Sequence, residues 1–200
     1  LLWMFWHAVL GVVLIFKARE WESPVLTIVA LAQVMLGSML LGIYIFHYKL
    51  GSSPFALMRD TMDIPVFKMN PDWVAEDGTG LNPSLQNYWM VIHPPTLFLG
   101  FAACTIPAAF AIASLWVGEY KTWIKAVLPW SLFALMILGT GILMGGAWAY
   151  EALSFGGFWA WDPVENSSLV PWLVIVAAGH TMIINKNKGG SRSEERRVGK

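Results

Sequence analysis

Two histidines stand where an imidazole needs a reason to be. His180 lies near the middle of an apolar stretch, nine residues beyond Pro171, or about 13 Å at the helical rise. An imidazole in hydrocarbon is costly and marks a functional candidate by default. His93 occupies Ile92-His93-Pro94-Pro95, where Pro94 is expected to push it out of helical geometry at the outer entrance of another apolar stretch. Neutral imidazole is a favoured ligand of metals, haem iron among them, so axial ligation is one reading of both residues. The plainer readings are a helix-helix hydrogen bond for His180 and an interfacial bond to a loop for His93. His47, at the outer end of a second apolar stretch, and His7, in the outer half of the first, read as structural.

Between Gly145 and Trp172 the chain reads GGAWAYEALSFGGFWAWDPVENSSLVPW. Trp148, Phe155, Phe158, Trp159, Trp161 and Trp172 are large flat rings, each needing about 150 to 250 Å² of close-packed partner. Gly145, Gly146, Gly156 and Gly157 remove side chains among them, which lets a flat body approach the backbone. Together they suggest a platform for a planar hydrophobic ligand. Scattered residues such as Trp3, Trp6, Trp21, Trp116 and Trp123 are explained by the aromatic belt of any membrane protein. Asp162-Pro163-Val164-Glu165 has the pattern of a helix start: Asp162 as N-cap, Pro163 at the first helical position and Glu165 closing a capping box. Asp162 is therefore either a cap or a ligand contact. Asn166, Ser167 and Ser168 offer neutral donors, and Pro171 is expected to kink the segment.

The elements that must position these residues follow from composition. Of 200 residues 56% are hydrophobic and 13% charged, which points to a membrane protein and, with zero formal net charge, away from nucleic acid. Five apolar stretches approach the length that spans a ~30 Å hydrocarbon layer: Leu1 to Phe16, Pro24 to Phe46, Pro94 to Trp116, Ala126 to Met144 and Pro163 to Ile184. The fold class is an all-α polytopic membrane helical bundle. The first stretch lacks a polar flank, so the chain is expected to begin inside a helix, as a piece of a longer protein. Lys17, Arg19, Lys121, Lys125, Lys186 and Lys188 fall on one side and only Lys49, Arg59 and Lys68 on the other. By the positive-inside rule the first side is cytoplasmic, so the 145–168 segment and the loop 47–92 face outward. That loop, broken by Pro54, Pro65, Pro71 and Pro83, reads as irregular and folded over the membrane. The tail 189–200 is polar and expected to be disordered. Cys104, the only cysteine, reads as a small packing residue.

Residues 77–101, DGTGLNPSLQNYWMVIHPPTLFLGF, and 145–173, GGAWAYEALSFGGFWAWDPVENSSLVPWL, strongly resemble the CcmF/NrfE-type subunit of the cytochrome c haem lyase. The second stretch is similar to the tryptophan-rich WWD signature of haem-handling membrane proteins. The resemblance reaches to about Asn185, and the tail GGSRSEERRVGK does not share it. It implies a membrane haem-handling domain over 1–188 in a bacterial inner membrane, with the WWD segment periplasmic. Haem from a chaperone of the CcmE type would be joined by thioether bonds to the CxxCH cysteines of an apocytochrome c, with CcmH-type lyase subunits and membrane lipid as further partners. His93 corresponds to an outward-facing haem ligand and His180 to one of two intramembrane histidines holding a resident haem b. Trp148, Phe155, Phe158, Trp159, Trp161 and Asp162 fall in the haem-contacting signature, Phe155 and Phe158 where the family often carries Trp or Tyr. No catalytic nucleophile is implied in the chain, because the reactive thiolates come from the acceptor. A haem exporter or delivery subunit of the CcmC/CcsA type is the alternative, and a quinone or proton-relay subunit using His180 is a third reading.

Overall fold

In the computed structural model, residues 1–78, 80–153 and 157–198 are described, the last eleven by backbone alone. Two apolar helices open the chain, α1 (Leu2–Lys17) and α2 (Glu22–Leu41). The outer loop follows as a hairpin of β1 (Ile43–Ile45) and β2 (Tyr48–Leu50) and two short helices, α3 (Met58–Thr61) and α4 (Pro65–Met69). The long helices α5 (Tyr88–Val117), α6 (Trp123–Ala152) and α7 (Pro163–Val198) complete the bundle. Four helices among the described residues, α2, α5, α6 and α7, are long and apolar enough to cross a membrane, and α1 is a shorter apolar helix. The chain is a multi-pass helical membrane protein, as its composition requires.

Several boundaries differ from expectation, each for a local reason. α2 stops at Leu41 rather than Phe46, because Gly42 adopts a left-handed conformation with φ +67° and caps it. The alternating Ile43-Tyr44-Ile45 then pairs with Tyr48–Leu50 in a two-residue hairpin that leaves His47 exposed at the turn. α5 begins six residues before Pro94, where the Asn87 side chain accepts the Met90 N–H as an N-cap. His93, Pro94 and Pro95 are therefore helical, correcting the expected extended entrance. Pro94 and Pro95 are the seventh and eighth residues of α5, inside the helix, where each removes a backbone hydrogen bond that packing against α6 must offset. α6 runs on to Ala152, so Gly145, Gly146 and Trp148 are part of a helix and not of a loop. α7 continues through Pro171 without a break, and its backbone is helical to Val198.

α5 is the centre of the bundle, packing against α1, α2 and α6, and α6 in turn carries α7. The α5–α6 contact is antiparallel and built on missing side chains. A Cβ on Gly100 would lie 2.7 Å from the Leu138 Cα, one on Gly141 2.9 Å from the Leu97 Cα, and one on Gly145 2.8 Å from the His93 Cε1. Small residues of this kind let membrane helices approach closely, where dispersion replaces the hydrophobic effect as the attraction between them. Below this seam Ile106, Phe110, Leu14, Val25 and Val127 form a fully enclosed core. On α7, Ser168, Trp172, Ile175, Gly179 and Met182 fall at alternating spacings of four and three, and Trp172 donates to the Leu135 carbonyl of α6 at 3.0 Å.

Each of α5 and α6 has 30 residues, about 45 Å of helix against a ~30 Å apolar layer. Lys125 marks one rim on α6. Twenty residues further, about 30 Å at the helical rise, the opposite rim falls at Gly145, so Gly145 onward lies at or beyond it.

The seam makes an opposite-sign prediction for two glycines. Gly141→Ala should destabilise the protein by about 1 to 3 kcal/mol, the usual cost of overpacking. Gly11→Ala, on an α1 face with nothing within 4 Å of the new methyl, should stabilise it by about 0.5 to 1 kcal/mol. Unfolding in detergent micelles would show this; equal changes at both positions would contradict the close α5–α6 approach.

Candidate functional site

At the rim where α6 ends, α5, α6 and the start of α7 surround a cavity of about 170 Å³, lined among others by His93, Gly145, Trp148, Trp159, Asp162 and Ser168. His93 is buried between α5 and α6, with Nδ1 2.9 Å from the Gly141 carbonyl. A carbonyl only accepts, so Nδ1 carries the proton and Nε2 keeps its lone pair. No described residue bonds Nε2. A ring nitrogen freed in this way, with its partner nitrogen held by a backbone carbonyl, is the arrangement of a metal-binding histidine.

The aromatic rings gather round this imidazole unequally. Trp148 lies 5.7 Å from it, tilted by 55°, and its indole donates to the Ser84 carbonyl at 3.2 Å. Trp159 is half-buried, and its Nε1 is enclosed with no hydrogen-bond partner among the described residues. Trp161 meets Trp159 edge to face at 5.7 Å and is 67% exposed. Phe158 lies over Gly146 so closely that a Cβ there would collide with its ring. The space at Gly145 and Gly146, expected to admit a flat ligand, is thus filled by His93 and Phe158. Phe155 lies outside the described residues.

The acidic residues turn out to position the rings. Asp162 Oδ1 accepts the Glu165 N–H at 2.7 Å, and Glu165 Oε2 accepts the Asp162 N–H at 3.1 Å, closing the capping box. Glu165 also accepts from Ala160 N, while Asn166 Nδ2 donates to the carbonyls of Trp161 and Asp162. Between these clamps Trp161 is held at φ +58°, a left-handed conformation costing about 1 to 2 kcal/mol for a residue with a side chain. The sequence reading missed the support from the outer loop. Asn82 accepts from the Ser84 backbone and hydroxyl, and the Ser84 carbonyl receives both Asn87 Nδ2 and the Trp148 indole. The Asn-Pro-Ser turn followed by a capping Asn was the available signal. Trp89 of α5 and Glu151 of α6 form a second tie across the rim.

The other histidines separate cleanly. His7 is buried with both nitrogens engaged, Nδ1 to the Trp3 carbonyl and Nε2 to the Thr105 hydroxyl, and so is structural. His47 is exposed. His180 donates from Nδ1 to the Val176 carbonyl, leaving Nε2 without a bond among the described residues, but its side chain is exposed on α7. It lies about 18 Å along the helix from Ser168, so His93 and His180 do not meet in one cavity. Among the described residues no group of three or more His, Cys, Asp or Glu could hold a bare metal ion. Cys104 is a free, half-buried thiol in α5.

For haem the donor set fits in part. The cavity offers one unengaged imidazole nitrogen and one orphaned indole N–H. Its volume is below the about 300 to 1,000 Å³ usual for enclosed ligand sites, so it would hold an edge of a macrocycle whose remaining face lies outside.

The family described as cytochrome C assembly protein matches residues 1–194, reaching into the tail expected to lie outside it. A cytochrome c-type biogenesis protein CcmF of Pseudomonas aeruginosa is 39% identical over 143 residues, covering 71% of this chain and 22% of that protein. The CcmF of Escherichia coli is 36% identical over 169 residues, 84% of this chain and 24% of that protein. A probable cytochrome c-type biogenesis protein NrfE of Escherichia coli is 40% identical over 116 residues, 58% of this chain and 21% of that protein. No solved structure matches. The chain spans about a fifth to a quarter of the length of these relatives, and by the extent of the match it belongs to the cytochrome c assembly protein family, as a CcmF-type member.

Proposed function

We propose that this chain is the haem-presenting part of a cytochrome c haem lyase subunit in a bacterial inner membrane, with the His93 rim facing the periplasm. The observation that carries the reading is His93 Nε2, unbonded among the described residues, at an aromatic cavity that is also lined by Trp159, whose enclosed Nε1 is likewise unbonded among them. His93 would hold haem iron through Nε2, its Nδ1 being bonded to the Gly141 carbonyl. Bound haem supplies two vinyl groups to which the CxxCH thiols of an apocytochrome c add. The chain's own work is orientation. Trp148 packs beside the imidazole, Trp159 offers an N–H to the edge of the ligand, and the Asp162, Glu165 and Asn166 clamps keep Trp161 turned outward beside it. Fixing reactants in this way is worth more than any acid or base the cavity contains, since its carboxylates are engaged with backbone N–H groups.

Haem would arrive on a chaperone of the CcmE type, and CcmH-type subunits would bring the acceptor. His180, at another depth and on an exposed face, would serve a separate resident haem b with a partner histidine elsewhere in the protein. The positive-inside distribution of Lys17, Arg19, Lys121 and Lys125 supports the orientation.

Two predictions separate ligand contacts from packing. Replacing Trp159 by 3-benzothienylalanine keeps the bicyclic ring and deletes only the N–H left unbonded among the described residues. Haem retention by the purified full-length protein should fall about tenfold, the worth of one hydrogen bond to a charged group, while thermal stability stays equal or rises. A loss of stability without loss of Soret absorbance would assign Trp159 to packing. His93→Ala should abolish loading from the chaperone, with partial recovery in added imidazole, and should leave any haem held through His180 in place. If full-length protein carrying both His93→Ala and His180→Ala matures cytochrome c normally, the ligand roles are wrong.

A further inference from the structure

At the opposite rim from His93, α1 and α6 both lie against α5 and leave a groove between them. Its apolar part, about 510 Å³, is lined by Leu10, Val13, Ala126, Pro129, Trp130 and Phe133. It shares Lys17, Ala126 and Pro129 with a second cavity of about 580 Å³ that opens at the turn between α1 and α2. The two adjoin along these residues, the first mainly apolar and the second, at the mouth, as polar as it is apolar. Leu10 to Lys17 on α1 and Ala126 to Phe133 on α6 each span seven residues, about 10 Å along the bilayer normal. That is roughly two thirds of the ~15 Å depth of one leaflet's acyl chains.

The mouth is cationic. Lys17, Arg19 and Lys125 line it with Glu20, and a second carboxylate, Glu119, adjoins it beside Thr122, leaving the cations in excess. None of the three cations forms an ion pair or a side-chain hydrogen bond among the described residues, where the only ion pair is Lys68 with Asp63. The first turn of the 30-residue helix α6 opens into the same mouth. Thr122, its N-cap residue, makes no capping bond and turns its hydroxyl toward Glu119 instead. Free N–H groups at a helix start favour an anion, and here they stand beside the cations. Arg19 itself sits at φ +52°, a conformation with a cost that the α1–α2 turn must bear.

An apolar slot of acyl-chain length, ending at the bilayer rim in three cations and an uncapped helix start, has the chemistry of one molecule. We infer that this cleft binds an anionic phospholipid, with an acyl chain between Val13 and Phe133 and the phosphate among Lys17, Arg19 and Lys125. Charge complementarity at the mouth selects an anionic headgroup over a zwitterionic one. The lipid fills the gap between α1 and α6 and braces both against α5.

The test uses the full-length protein in mild detergent, titrated with phosphatidylglycerol or phosphatidylcholine and read by native mass spectrometry. One phosphatidylglycerol should be retained in clear preference to phosphatidylcholine. The double variant Lys17→Gln/Lys125→Gln should weaken that retention roughly thirtyfold, about fivefold for each cation removed, while Lys17→Arg/Lys125→Arg keeps it. Val13→Trp, filling the slot, should lower retention of both lipids, with haem absorbance unchanged as the check on folding. Equal retention of the two lipids, or no change in the double glutamine variant, would overturn the inference. So would a photo-crosslinker at position 13 that, in native membranes, captures polypeptide instead of lipid.

Discussion

The contact between His93 and the glycines of α6 is the constraint on which the site rests. The imidazole occupies the position that a side chain on Gly145 would fill, and its Nδ1 reaches the Gly141 carbonyl one turn away. That carbonyl is reachable only because neither glycine shields it, and its second lone pair remains after the helical bond is made. Near a bilayer, where backbone groups must be satisfied within the protein, such a bond fixes ring orientation and tautomer together. The same seam, continued by Leu97 over Gly141 and Leu138 over Gly100, sets how near α5 and α6 stand and therefore where the rim cavity opens.

Above the seam, polar side chains are spent on shape. Glu165 and Asn166 turn their side chains onto the Ala160–Asp162 backbone while Asp162 accepts the Glu165 N–H, and Asn82, Ser84 and Asn87 make a smaller clamp beneath Trp148. These bonds offset the strain at Trp161, the kind of stored backbone cost that functional surfaces commonly hold. The tryptophans are thereby sorted by their N–H groups. Those of Trp89, Trp148 and Trp172 are tied to protein, whereas those of Trp3, Trp6 and Trp159 are enclosed without a partner among the described residues, and of these only Trp159 lines the rim cavity with His93. A buried donor without an acceptor is costly, and a ligand that accepts from it recovers that cost.

The three histidines inside helices show why depth and residue type were insufficient guides. All donate Nδ1 to a backbone carbonyl, four residues back in His7 and His180 and across the helix pair in His93. They differ at Nε2. Thr105 takes that of His7, and no described residue takes those of His93 or His180. His93 faces a cavity, and His180 faces out from the described bundle on the side of α7 away from its Ser168–Met182 seam. The two belong to different surroundings, as their spacing along the chain already suggested.

What the amino-acid order determined by itself is whatever a short window of residues decides. Apolar length made the membrane helices, Asp162-Pro163-Val164-Glu165 made its capping box, and His93 and Trp148 were visible as neighbours of one rim. The helix starts at Tyr88 and the long end of α6 were less legible, because Pro94, Pro95, Gly145 and Gly146 locally read as breaks. Tertiary packing overrode that reading: α5 and α6 support each other through the turns where prolines and glycines would otherwise fray them, and glycine becomes an asset once another helix presses against it. Packing alone also decided that the glycine space would be filled by His93 and Phe158, that Trp159 would keep its N–H free, and that His180 would face outward. Those outcomes depend on which side chains from distant segments compete for one volume and one lone pair, and no local pattern carries that information.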